Sequence, residues 1–130
     1  MKKAANAALQ QDSLRAELAR IYMKQGAMEE AIAELEAIRS SSGEYQQADM
    51  LLIYARLRTG DFVEARKLIK DMLKQSPDDP RLYTVSGSVE LLVNNPTVAR
   101  DHFQTALGLK VDYFPALLSL SRLNLKDGPY

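Results

Sequence analysis

Small residues recur every 34 positions along this chain. Gly26, Gly60, Asn94 and Gly128 form one series, and Ala31, Ala65 and Ala99 form a second lying five residues downstream. Gly43, Pro77 and Val111 fill a third slot. A period of roughly 20 to 50 residues signals stacked supersecondary units, because each unit alone leaves one apolar face bare and needs its neighbours to cover it. Such a sequence describes a kind of surface and does not name the partner.

Between these marks the apolar residues follow helical spacing. Leu14, Leu18, Ile21 and Tyr22 share a face, as do Leu51, Tyr54, Ala55 and the stem of Arg58, and then Leu117, Leu120, Leu123 and Asn124. The pattern predicts first helices of successive pairs at 12–25, 46–59, 80–93 and 114–127, with partners at 28–40, 62–75 and 96–109. Asp79 before Pro80 and Asn95 before Pro96 place a cap acceptor ahead of a proline in the first turn, where the missing N–H costs nothing. Asp61 after Gly60 ends one helix and starts the next. Links this short make neighbouring helices antiparallel.

The early alanines of the second helices, Ala31, Ala65 and Ala99, are expected where helices approach closely. Gly87 in a first helix has the same expected role, because a mid-helix glycine costs about 1 kcal/mol and needs a packing reason.

A two-helix unit of 34 residues carrying Gly60-Asp61, Ala65 and Pro77 in one copy, and Gly87, Ala99, Phe103 and Ala106 in the next, resembles the tetratricopeptide repeat. The resemblance implies an all-α superhelix of antiparallel helix pairs, about three and a half repeats: 12–45, 46–79, 80–113 and the first helix of a truncated fourth at 114–130. Residues 1–11 read as leading residues or the tail of a preceding repeat, since Ala4 lies in register with Ile38, Met72 and Ala106. More narrowly, the run from Val111 through Leu118 to Gly128, and that from Ala48 to Asp61, are similar to repeats of large tetratricopeptide lipoproteins that accompany exosortase and PEP-CTERM protein sorting. That similarity implies a periplasmic or outer-membrane-attached scaffold linked to sorting and exopolysaccharide export; without it a cytoplasmic setting is expected. The lipid-bearing cysteine of such proteins is absent from this sequence.

Composition narrows the chemistry. With no cysteine and a single histidine, His102, no transition-metal site is expected, nor any cofactor. Ser40-Ser41-Ser42-Gly43 is a link rather than a nucleophile motif, and there is no phosphate-binding glycine loop. No apolar run approaches the roughly 20 residues of a spanning helix, and the start lacks the apolar block of a signal peptide. Charge balances at 17 against 17 without a basic block of nucleic-acid type. Glu29, Glu30, Glu34 and Glu36 read as a solvated helix face and His102 as a solvated outer residue. Met23, Met28, Met50 and Met72 read as adaptable packing residues.

The resemblance also implies that first helices line a concave face. Residues expected there at 34-residue spacing are Arg20, Tyr54, Ser88 and Arg122, then Lys24, Arg58, Leu92 and Lys126 one turn along. Five of these eight are basic and none is acidic, which favours an anionic partner such as an acidic peptide or acidic glycan, unless Glu17, Glu90 or Asp127 neutralises them. Tyr45, Tyr54 and Tyr113 would add amphipathic contact area. Tyr54, Ser88 and Thr84 stand where the clamp of chaperone-tail binders wants amides or lysines, which argues against a co-chaperone. The expected function is therefore non-catalytic protein binding as a scaffold within a larger protein. The rival reading is a substrate-presenting arm of an enzyme. Self-association is expected through Leu117, Leu120, Leu123 and Leu125, left bare by the truncated repeat.

Overall fold

In the computed structural model, residues 2–41 and 46–127 are described, and they form seven α-helices. These are α1 Lys2–Lys24, α2 Met28–Ser41, α3 Gln46–Thr59, α4 Phe62–Gln75, α5 Pro80–Leu92, α6 Pro96–Leu109 and α7 Phe114–Asp127. From α2 onward the spans agree with the sequence pattern to within about one residue. Gly43 and Tyr45 lie outside the described residues, as does Gly128.

The links between paired helices are built alike. Gly26 and Gly60 take φ of 82° and Asn94 takes 66°, the left-handed conformation that lets a helix end and turn. In each turn the following amide reaches back five residues: Ala27 to the Tyr22 carbonyl at 2.8 Å, Asp61 to Arg56 at 2.8 Å, and Asn95 to Glu90 at 2.7 Å. The amides of Gly26, Gly60 and Asn94 close the companion bonds three residues back, at 3.2, 3.2 and 3.1 Å. The next helix then starts within two residues.

Caps follow expectation at two of three starts. Asp79 accepts from the Arg81 amide at 3.0 Å, and Asp61 accepts from the Glu64 amide at 3.4 Å. Asn95 does not cap α6 with its side chain; its Nδ2 donates instead to Glu90 Oε1 at 3.2 Å. A buried carboxylate close by offers a charged acceptor, and a charge-assisted bond outcompetes the neutral cap.

The helices gather into two compact units, Met1–Ala65 and Arg66–Tyr130, with the boundary inside α4. In the first, α2 packs on α1 and α3, and its Ala31, Leu35 and Ile38 are buried together with Ala16, Ala19, Ala48, Ile53 and Ala55. In the second, α6 packs on α5 and α7, burying Leu82, Val85 and Val89 of α5 and Ala99, Phe103 and Ala106 of α6. Burial of a side chain the size of Phe103 contributes about 1.5 to 3 kcal/mol. Ala65, Leu68 and Ile69 of α4 are buried as well.

Three expectations need correction. Helix α1 starts at Lys2, not near residue 12, and runs unbroken because no glycine or proline interrupts residues 2–24; residues 2–11 are thus continuous with α1 rather than a separate helical tail. The face of Leu14, Leu18 and Ile21 is exposed, and α1 instead buries Asp12 together with the small residues Ala16 and Ala19. In α7, Leu123 is buried and Leu120 packs on the cluster of Ala99, Phe103 and Leu123, so α6 already covers half of the expected bare face; Leu117 and Leu125 remain exposed.

Candidate functional site

In the second unit a cleft of about 290 Å³ opens between α5 and α7, lined by Ser88, Leu91, Ser119, Arg122 and Leu123. Two of the expected site residues, Ser88 and Arg122, meet here. Ser88 Oγ donates to the Thr84 carbonyl at 3.1 Å and Ser119 Oγ to the Pro115 carbonyl at 2.9 Å, each one turn back in its own helix. Each hydroxyl proton is thereby committed, and the oxygens keep lone pairs that accept from an incoming N–H. Arg122 is exposed and has no acidic partner among the described residues. Leu91 and Leu123 supply an apolar wall, with Leu123 itself buried. One cation, two acceptors and a leucine-lined wall are the groups needed to hold an extended peptide bearing a carboxylate and an aliphatic side chain.

The first unit holds Arg20, Lys24, Tyr54 and Arg58. The Arg20 guanidinium is already paired with Glu17, three residues away on α1, so its charge is locally offset. Arg58 reaches from α3 to α1 and donates to the Met23 carbonyl at 3.3 Å. Lys24 and Tyr54 are exposed. Lys126 lies on α7, but its side chain is outside the described residues. Leu92 is exposed near the end of α5.

A second cleft, of about 460 Å³, lies in the first unit and includes Glu29, Glu36, Arg56, Thr59 and Asp61 in its lining. Arg56 is occupied there: it pairs with Glu36 and, at 3.2 Å, with Asp61. Glu34 lies 3.9 Å from Arg15. The glutamates of α2 thus take part in helix-to-helix pairing as well as facing solvent. His102 is half-buried beside Tyr83, ring centroids 6.4 Å apart and tilted by 32°, rather than fully solvated. Tyr113 carries Lys110 Nζ 5.9 Å above its ring. Among the described residues no group of three His, Asp or Glu side chains could hold a metal, and no helix is long and apolar enough to cross a membrane.

Sequence reading missed Leu91, Ser119 and Leu123 as cleft residues. Their signal was present: Leu91 follows Ser88 by one turn, and Ser119 precedes Arg122 by one turn, so each pair shares a helix face.

Helix pairs joined by left-handed turns at a fixed 34-residue register define the helical-repeat class of proteins. Residues 16–80, half of the chain, match the tetratricopeptide repeat, and the chain belongs to that family. Among solved structures, it is similar to the first TPR of Spaghetti (RPAP3) bound to the HSP90 peptide SRMEEVD, with a TM-score of 0.75 and 18% identity over 90% of this chain and 93% of that one. It is also similar to YrrB, a TPR protein with an unusual peptide-binding site, with a TM-score of 0.76 and 16% identity over 85% of this chain and 57% of that one. PcrH in complex with the chaperone binding region of PopB gives a TM-score of 0.71 and 14% identity over 92% of this chain and 94% of that one. At these identities the likeness concerns the fold. No curated protein matches the chain in sequence.

Proposed function

We propose that this protein binds an extended segment of another protein, and that the cleft of Ser88, Leu91, Ser119, Arg122 and Leu123 receives an acidic side chain together with an adjacent aliphatic one. The observation that carries this reading is the exposed Arg122 guanidinium beside two hydroxyl oxygens and a leucine wall. The named peptide complexes of the similar folds support a binding role of this general kind. Lys24, Tyr54 and Arg58 form a further contact patch in the first unit, and Arg20 is left out because Glu17 neutralises it. The protein has no chemistry of its own in this reading.

Fluorescence anisotropy with labelled peptides carrying Asp-Leu, Asn-Leu or Asp-Ser tests it. The Asp-Leu peptide should bind best and lose affinity as salt rises, because the Debye length at physiological ionic strength is about 8 Å. Equal binding of all three would reject the cleft assignment.

The envelope setting, with protein sorting and exopolysaccharide export, is supported by the sequence similarity of the Val111–Gly128 and Ala48–Asp61 runs alone. Exosortase or glycan-export genes beside the parent gene are the expected finding, and a neighbourhood without either would remove this setting while leaving peptide binding intact.

A further inference from the structure

A cleft that asks for a carboxylate beside an aliphatic side chain finds that pair on this chain's own surface. Val111 and Asp112 are the corner of the turn between α6 and α7, and both are exposed, Val111 at 81%. The corner is held in place: Lys110 is extended, with φ −145° and ψ 103°, and the Tyr113 amide donates back to the Lys110 carbonyl at 3.1 Å. Lys110 Nζ, the neighbouring cation, sits over the Tyr113 ring, and no described residue makes an ion pair with Asp112. The other exposed neighbours of this kind among the described residues, Glu17 with Leu18 and Val63 with Glu64, lie within helices, and their carboxylates are already engaged, Glu17 by Arg20. One period earlier the same corner is Pro77 and Asp78, so the carboxylate recurs while the branched side chain belongs to the later turn alone.

We infer that, when no partner segment is bound, the Val111–Asp112 turn of a second copy of this chain occupies the Arg122 cleft, with the Arg122 guanidinium donating to Asp112 and Val111 resting on the leucine wall. This rests on the acidic and aliphatic reading of the cleft given above and adds its regulation. The cleft and the turn both belong to the second unit. They are different patches, so the contact is heterologous and each copy both gives a turn and offers a cleft. One solvated ion pair and one valine make a small contact, and the association is weak. A partner segment competes with it, so the apparent affinity for that segment falls as the concentration of the chain rises.

Sedimentation velocity of the intact chain over a concentration series tests this, with Asp112→Asn and Arg122→Glu as variants. The wild-type chain should self-associate at high concentration, less so as salt rises, and each variant should weaken that association about tenfold or more. An equimolar mixture of the two variants should associate again, because Asp112 of one meets Arg122 of the other; a variant that had merely unfolded would not give this rescue. The Asp-Leu peptide, added in excess, should return the wild-type chain to monomers. A chain that binds this peptide in its cleft yet stays monomeric at every concentration would overturn the inference and leave the cleft to other proteins, with the proposed function intact. Self-association that persists in Asp112→Asn, or a mixture that fails to associate, would also overturn it. A chain that neither binds the peptide nor self-associates would overturn both readings together.

Discussion

The ring of Phe103 occupies the space that any side chain at Gly87 would need: a Cβ there would fall 2.4 Å from Cε1 and 2.8 Å from Cδ1 and Cζ. Helices α5 and α6 meet at this point, ring against bare backbone. Glycine is kept in mid-helix because the close approach outweighs its poor propensity.

Gly87→Ala should therefore destabilise the protein by about 1 to 3 kcal/mol, even though alanine is the better helix former by about 1 kcal/mol. Adding Phe103→Leu should recover part of the loss by making room. Urea denaturation of the two single variants and the double variant measures the coupling, and strict additivity would show that the two residues do not compete for space.

Asp79 links helix start to pH. The Arg81 side chain bonded to it, then the Arg81 amide and charge, hold its carboxyl below the ordinary value despite an opposing desolvation effect. A carboxyl depressed in the folded state stabilises fully above its unfolded value near 3.8 and loses that contribution as pH falls toward and through its folded value. Asp79→Ala should cost about 0.5 to 2 kcal/mol at neutral pH. The difference from wild type should shrink in acid below pH 3.8, and a constant difference across the titration would contradict the assignment.

Asp49 behaves in the opposite sense. Burial raises its carboxyl, and the Arg39 charge, with Nε 3.2 Å away but not aligned to bond Oδ1, only partly compensates. A carboxyl raised in the folded state makes the fold less stable as pH climbs from the unfolded value toward the folded one. Asp49→Asn should be stabilising at pH 7 relative to its effect at low pH. A variant that is less stable at pH 7 than in acid, compared with wild type, would show that the Arg39 charge dominates instead.

Glu90 is buried and takes two bonds from Arg66, at 3.1 and 2.8 Å, with a third from Asn95. The partners are unequal, because Arg66 is half exposed and can rehydrate if left alone. Arg66→Ala should therefore cost more than Glu90→Gln, on the order of 1 to 3 kcal/mol for the former. The reverse order in thermal unfolding would contradict this reading.

Much of the fold was legible because turns and caps are local chemistry. Gly26, Gly60 and Asn94 stand where the backbone must be left-handed, and Gly87 stands where Phe103 presses on it. What the pattern did not reveal was which side of an apolar helix is covered. Leu14, Leu18 and Ile21 have the right spacing for a core, yet cover depends on a neighbouring helix that a one-helix pattern cannot register. The site was half legible for a similar reason. Register brings Ser88 and Arg122 onto one cleft, and the one-turn spacing already offers Glu17 as a partner for Arg20, but the diversion of Asn95 to Glu90 depends on which competing partner the side chain meets in three dimensions.

The most direct test of peptide recognition at the second unit is amide chemical-shift mapping of the intact chain titrated with the Asp-Leu peptide, alongside Arg122→Glu. Shifts concentrated at Ser88, Leu91, Ser119, Arg122 and Leu123, with binding weakened at least about tenfold by the charge reversal, are the predicted result. Saturable binding that leaves these five amides unmoved, or that survives Arg122→Glu unchanged, would contradict it.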